Sequence, residues 1–112
     1  MNYQLHTTDV EFDDKQLVLL DTLIGLNLSR FVPLIAECTF NIRNEHSNVQ
    51  GNHVSITCDI ELHDKQMITV SANESEINTA IRAIVERAKR HLERQVRSKQ
   101  TNTVVKPQGR RP

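Results

Sequence analysis

Long apolar runs are missing from this chain: no stretch approaches the roughly 20 apolar residues that carry a helix across a bilayer, so no membrane partner is expected. The start, Met1-Asn2-Tyr3-Gln4, lacks the basic residues and apolar run of a secretory signal, and a cytoplasmic location follows as the expectation. Cysteine is scarce. Cys38 and Cys58 are too few for a disulfide framework and are read as thiols. Glycine is limited to Gly25, Gly51 and Gly109, which rules out a Gly-rich phosphate loop. Five histidines are present, His6, His46, His53, His63 and His91, but none shows the close spacing or Cys/His clustering of a zinc site, so neither metal nor cofactor is expected. His53 alternates with apolar neighbours and is expected to face solvent or RNA. Asp59 and Glu61 share a strand face without an accompanying His, Lys or Ser motif. Enzymatic activity and a small-molecule substrate are therefore not expected.

An excess of one charge is also missing, since 14 Lys/Arg balance 14 Asp/Glu. The balance hides a division. Residues 1–81 carry four Lys/Arg against twelve Asp/Glu, whereas residues 82–112 carry ten against only Glu86 and Glu93. The positive field is thus concentrated at one end, where a polyanion can dock away from the acidic remainder. With 112 residues, 38% hydrophobic and 25% charged, the chain suits one compact soluble domain.

What is present is a clean sequence of periodicities. Residues 2–7 form a short candidate strand. From Asp13-Asp14, acidic residues suited to a helix start, Leu17, Leu20, Ile24, Leu28 and Phe31 recur at spacings of three and four and predict a helix that ends near Arg30 to Val32, ahead of Pro33. The period then becomes two: Ala36, Cys38, Phe40 and Ile42 point one way, and Glu37, Thr39, Asn41 and Arg43 the other. After a polar connection, Val54, Ile56, Cys58, Ile60 and Leu62 alternate with Ser55, Thr57, Asp59 and Glu61. A turn at 63–66 leads into Ile68, Val70 and Ala72, so two hairpins join three antiparallel strands. Ile77, Ala80, Ile81, Ile84, Ala88 and Leu92 then mark a long helix, expected to end near Lys99, followed by a disordered basic tail over 100–112. The order β-α-β-β-β-α predicts an α+β fold: a two-layer domain over 1–99, with both helices on one face of a four-stranded sheet, similar in layout to double-stranded RNA-binding domains.

On the last helix, a step of about 100° per residue puts Arg87, Arg90, Arg94 and Arg97 in one stripe, away from the apolar one. Guanidinium groups stay charged and grip phosphate through paired hydrogen bonds, so this ridge suits a folded RNA backbone. Arg82 and Lys89 widen the footprint, and Lys99, Lys106, Arg110 and Arg111 extend it. Glu86 and Glu93 are placed to temper the field through pairs with Arg90, Lys89 and Arg97.

The element order, the start Met1 to Leu5, the Asp9-Val10-Glu11-Phe12 step, and Val70-Ser71-Ala72 followed by Ile77-Asn78-Thr79-Ala80-Ile81 and a basic helix together resemble the hibernation-promoting factor and ribosome-associated translation inhibitor family, in its short form. The resemblance covers about residues 1–99, and Arg87, Arg90 and Arg94 fall where that family carries basic residues. It implies binding to the small ribosomal subunit and its ribosomal RNA, in the channel for messenger and transfer RNA, silencing translation during stress or stationary phase. Two departures stand out. The family's first helix carries Lys/Arg toward ribosomal RNA, and here none lies between Lys15 and Arg30. In their place Leu19, Leu23 and Leu26 form a second apolar strip, either a protein interface or a surface buried by broader packing. With so few residues after the last helix, the long form's separate C-terminal domain is not expected. Two other readings stay open: a general module for structured RNA, and a protein-interaction regulator acting through the first helix, which older descriptions of the family as modulators of a transcription factor would suit. The expected state is a monomer, with weak self-association left open.

Overall fold

A computed structural model describes residues 1–47 and 51–108. The elements run β1 (Gln4–Thr8), α1 (Asp14–Asn27), a 3₁₀ helix (Ser29–Leu34), β2 (Ile35–Ser47), β3 (Gly51–Leu62), β4 (Met67–Glu74) and α2 (Ile77–Gln108). The sheet order is β1-β2-β3-β4. β2, β3 and β4 are antiparallel neighbours, as the alternations predict, while β1 lies parallel to β2 with Gln4 beside Thr39 and Thr8 beside Arg43. A parallel neighbour needs a crossover, and α1 with the 3₁₀ turn supplies it. The result is the expected two-layer α+β domain, with a mixed sheet.

Local chemistry sets the element ends. Asp9 adopts a left-handed conformation (φ 54°), which a short polar side chain tolerates, and β1 stops there. Asp13 caps α1: its Oδ1 accepts from the backbone N–H of Lys15 at 2.9 Å and of Gln16 at 3.3 Å, and Gln16 Oε1 accepts from the Asp13 N–H at 3.1 Å. This reciprocal box satisfies donors that the first helical turn leaves free. α1 ends at Asn27, short of the boundary suggested by Pro33. The next six residues tighten into 3₁₀ winding, which accommodates the proline and keeps Phe31 buried.

The core lies between the sheet's inner face and the helices. Phe40, Ile42, Ile56, Cys58, Ile60 and Val70 from the strands meet Leu20 and Ile24 of α1 and Ile81, Ile84, Val85 and Leu92 of α2, and no polar residue is buried among the described residues. Tyr3 joins from the sheet edge. Its ring packs edge-on against Phe40 at 5.5 Å, and its hydroxyl donates to Asp21 Oδ1 at 2.7 Å. Burial first, then that carboxylate, pushes the phenol well above its ordinary range. Cys38 and Cys58 sit on neighbouring strands with their sulfurs 3.8 Å apart, both buried, in thiol–thiol hydrogen-bond contact and without a disulfide. Contact with Cys38, and then burial, raises the Cys58 thiol, so the pair serves as small apolar packing.

Three local expectations change. Leu17 is 40% exposed, because α1 turns Leu20 and Ile24 inward instead. Ala36 is exposed rather than inward, because the β2–β3 register shifts between Ile35 and Glu37 and two residues there oppose one. α2 runs to Gln108 rather than ending near Lys99, with no glycine or proline between Ile77 and Lys106 to break it. Of the disordered tail expected over 100–112, residues 109–112, and with them Arg110 and Arg111, lie outside the described residues.

Candidate nucleic-acid interface

α2 buries one stripe, Ala80, Ile81, Ile84, Val85, Ala88 and Leu92, and the same helix carries eight of the chain's fourteen Lys/Arg. Arg82, Arg87, Arg90, Arg94 and Arg97 are exposed, and Lys89 is half-buried. Lys99 lies on the same helix, but its side chain, like that of Lys106, lies outside the described residues.

The basic side chains do not form a single flat row. Arg87 leans onto β4, the edge strand, and its Nη1 donates to the backbone carbonyl of Ser71 at 2.6 Å. That bond satisfies an acceptor at the open edge and fixes the guanidinium, while its positive charge and remaining donors stay available. Between α2 and β4 runs a groove of about 380 Å³, lined by Thr69, Val70, Ser71, Arg87, Arg90, His91 and Arg94, with no carboxylate in its walls. Arg90 is partly offset by Glu86, whose Oε1 lies 3.2 Å from Arg90 Nε, as the i,i+4 spacing predicts.

Glu93 behaves otherwise. It pairs with Arg30 of the 3₁₀ helix rather than with Lys89 or Arg97. Arg30 also stacks over Phe31, 4.6 Å from the ring centroid, so the cation nearest α1 is held against the fold. Arg97 lines a second hollow of about 300 Å³ with Arg30, Phe31, Glu93 and Val96. Among the described residues, no carboxylate forms an ion pair with Arg82, Lys89, Arg94 or Arg97. These four cations and the anchored Arg87 face an incoming anion uncompensated. Neither the groove nor the Arg30–Glu93 pair could be read from sequence, because their partners are 16 and 63 residues apart.

The apolar strip expected on the first helix is divided. Leu19 and Leu23 are half-buried against the core, whereas Leu26 is 76% exposed. On the outer face of the sheet, register brings His6, Asn41, Thr57 and Ser71 into one row and Gln4, Thr39, Asp59 and Thr69 into another, with Thr69 Oγ1 donating to Asp59 at 2.8 Å. This face is polar but nearly free of cations. His53 does not face open solvent there: its side chain is 18% exposed, its Nε2 lies 3.4 Å from Glu45, and its Nδ1 is buried without a partner. Among the described residues no cluster of three His, Cys, Asp or Glu side chains could hold a metal ion.

No family model and no curated protein matches this sequence. Solved structures do. A ribosomal subunit interface protein from Coxiella burnetii superposes with a TM-score of 0.70 at 10% identity, over 85% of this chain and 97% of that one. The N-terminal domain of Thermus thermophilus Protein Y superposes with a TM-score of 0.62 at 16% identity, over 84% of this chain and 98% of that one. Across nearly the whole length of both, this chain therefore has the fold of a ribosomal subunit interface protein.

Proposed function

We propose that the protein binds the small ribosomal subunit through ribosomal RNA, in the channel for messenger and transfer RNA, and silences translation under stress or in stationary phase. The observation that carries this reading is the set of uncompensated cations on α2, on a fold shared with a ribosomal subunit interface protein. Arg82, Arg87, Lys89, Arg90, Arg94, Arg97 and Lys99 supply the phosphate contacts, with Arg87 pre-oriented on Ser71. Residues 1–99 form the ribosome-binding domain, and 100–112 add basic reach. The protein works in the cytoplasm, without cofactor, and not as an enzyme. No helix among the described residues is long and apolar enough to cross a membrane.

Sedimentation of the purified protein with vacant small subunits tests this, beside an Arg87→Glu, Arg90→Glu, Arg94→Glu variant. The expected result is co-sedimentation at low salt that both moderate salt and the triple change remove. A wild type that stays in the supernatant at every salt concentration refutes the reading. Equal binding to isolated duplex RNA points instead to a general structured-RNA module, whose recognition is one of shape.

A further inference from the structure

The cations of α2 do not share one surface. At about 100° per residue, Arg87, Arg90, His91 and Arg94 fall on the flank that faces β4, Arg82 and Lys89 fall on the opposite flank, and Glu86 and Glu93 lie on the crest between them. Both crest carboxylates reach solvent, Glu86 at 51% and Glu93 at 31%. An RNA duplex laid along the helix presents its phosphates to that crest, where the carboxylates repel what the flanks attract.

The groove between α2 and β4 has the opposite character, since no carboxylate lines it. Arg87, Arg90 and Arg94 line its helical wall at axial steps of about 4.5 and 6 Å. The bond from Arg87 to the Ser71 carbonyl also fixes the direction of the β4 backbone. In an antiparallel strand the N–H and C=O of one residue point to the same side and alternate along the chain, so the N–H groups of Ser71 and Thr69 face the groove with that carbonyl. β4 ends the sheet, and no further strand takes these donors. Guanidinium groups on one wall and backbone donors on the other can both serve phosphate oxygens. At about 380 Å³ the groove admits a single strand but not a duplex, whose two backbones are held apart by paired bases.

We infer that the groove between α2 and β4 takes an unpaired, extended segment of ribosomal RNA, with its phosphates on Arg87, Arg90 and Arg94 and further contacts from the edge N–H groups of Thr69 and Ser71. The source of the RNA rests on the ribosome reading; the kind of RNA and the side of α2 that grips it are added here. Arg82 and Lys89 lie off this strand's path and meet other parts of the subunit's RNA.

Equilibrium binding of the full chain to a short unstructured RNA oligonucleotide, and to the duplex it forms with its complement, tests this across a salt series. The single strand is expected to bind at least about tenfold tighter than the duplex, with log K falling against log salt at a slope of about −2 for three phosphate contacts. Arg87→Gln with Arg94→Gln should make that slope shallower by about 1.4 and cost roughly 25-fold in affinity near 100 mM salt. Arg82→Gln with Lys89→Gln removes the same charge from the far flank, about a screening length away, and should change single-strand affinity by less than about twofold. Arg94 forms no ion pair among the described residues, so Arg94→Gln alone, with an expected slope change of about 0.7, decides the matter if loss of the Arg87–Ser71 bond disturbs folding. A single strand bound no tighter than the duplex overturns the inference, as do groove and flank pairs that cost the same. Vacant small subunits, whose RNA is ribosomal alone, separate this from the ribosome reading. Subunit binding that survives the groove pair overturns the inference and leaves the ribosome reading standing. A strand-selective groove on a protein that never sediments with subunits overturns the ribosome reading and, with it, the ribosomal source of the strand.

Discussion

Replacing Glu86 by glutamine should tighten RNA binding, and the size of the effect follows from the ion pairs on α2. Arg82, Arg87, Lys89, Arg94 and Arg97 carry charge that no carboxylate among the described residues offsets, while Arg90 is offset by Glu86. If each of five free cations displaces condensed counterions from one phosphate, log K falls against log salt with a slope of about −3.5 to −4.5, and affinity drops roughly 100- to 500-fold between 50 and 200 mM salt. Glu86→Gln frees Arg90 and should steepen the slope by up to about 0.8 while raising affinity at low salt. Arg94→Gln should make it shallower by a similar amount. Both side chains of the Glu86 pair are more than half exposed, at 66% for Arg90 and 51% for Glu86, so the change costs the fold little. The assay is equilibrium binding to labelled small subunits across a salt series, with the melting temperature as a control for folding. A Glu86→Gln variant that binds more weakly, or an Arg94→Gln variant with an unchanged slope, would refute the assignment of this helix as the phosphate-contacting surface.

Two further outcomes test the local arguments. Asp13→Ala removes both acceptor contacts of the capping box and should destabilise the protein by about 0.5–2 kcal/mol, seen as a lower urea midpoint with an unchanged m value. Gly25→Ala should do the opposite, stabilising by about 0.5–1 kcal/mol and raising the melting temperature, since the added methyl meets nothing within 4 Å. A loss of stability there would mean that α1 is strained at Gly25.

The first helix explains why only part of the candidate site was legible in sequence. Its apolar residues nearly encircle it, and spacing alone ranked Leu17 with the core and Leu19, Leu23 and Leu26 as one strip. α2 and the sheet then took Leu19 and Leu23 and left Leu17, Val18 and Leu26 outside. The last helix posed no such ambiguity, because its apolar and basic residues occupy different sides. Its buried stripe was readable but for Val85, which spacing missed, and Ile77, which is only partly buried, and its arginines lie on the surface as the period requires.

Local periodicity is what the sequence by itself determined: the order of elements, the antiparallel hairpins of β2 to β4, the inward set on β3, and the concentration of positive charge on the last helix. These rest on intervals of two, three and four residues, over which covalent geometry dictates direction. Only the tertiary structure decided the parallel seat of β1 beside β2, the bulge that turns Ala36 outward, the anchoring of Arg87 on Ser71 and the diversion of Glu93 to Arg30. Each depends on partners distant in the chain, and no spacing rule reaches that far. Folding brings them together through the shared hydrophobic core, whose burial sets where α1 and α2 lie on the sheet and therefore which charges meet.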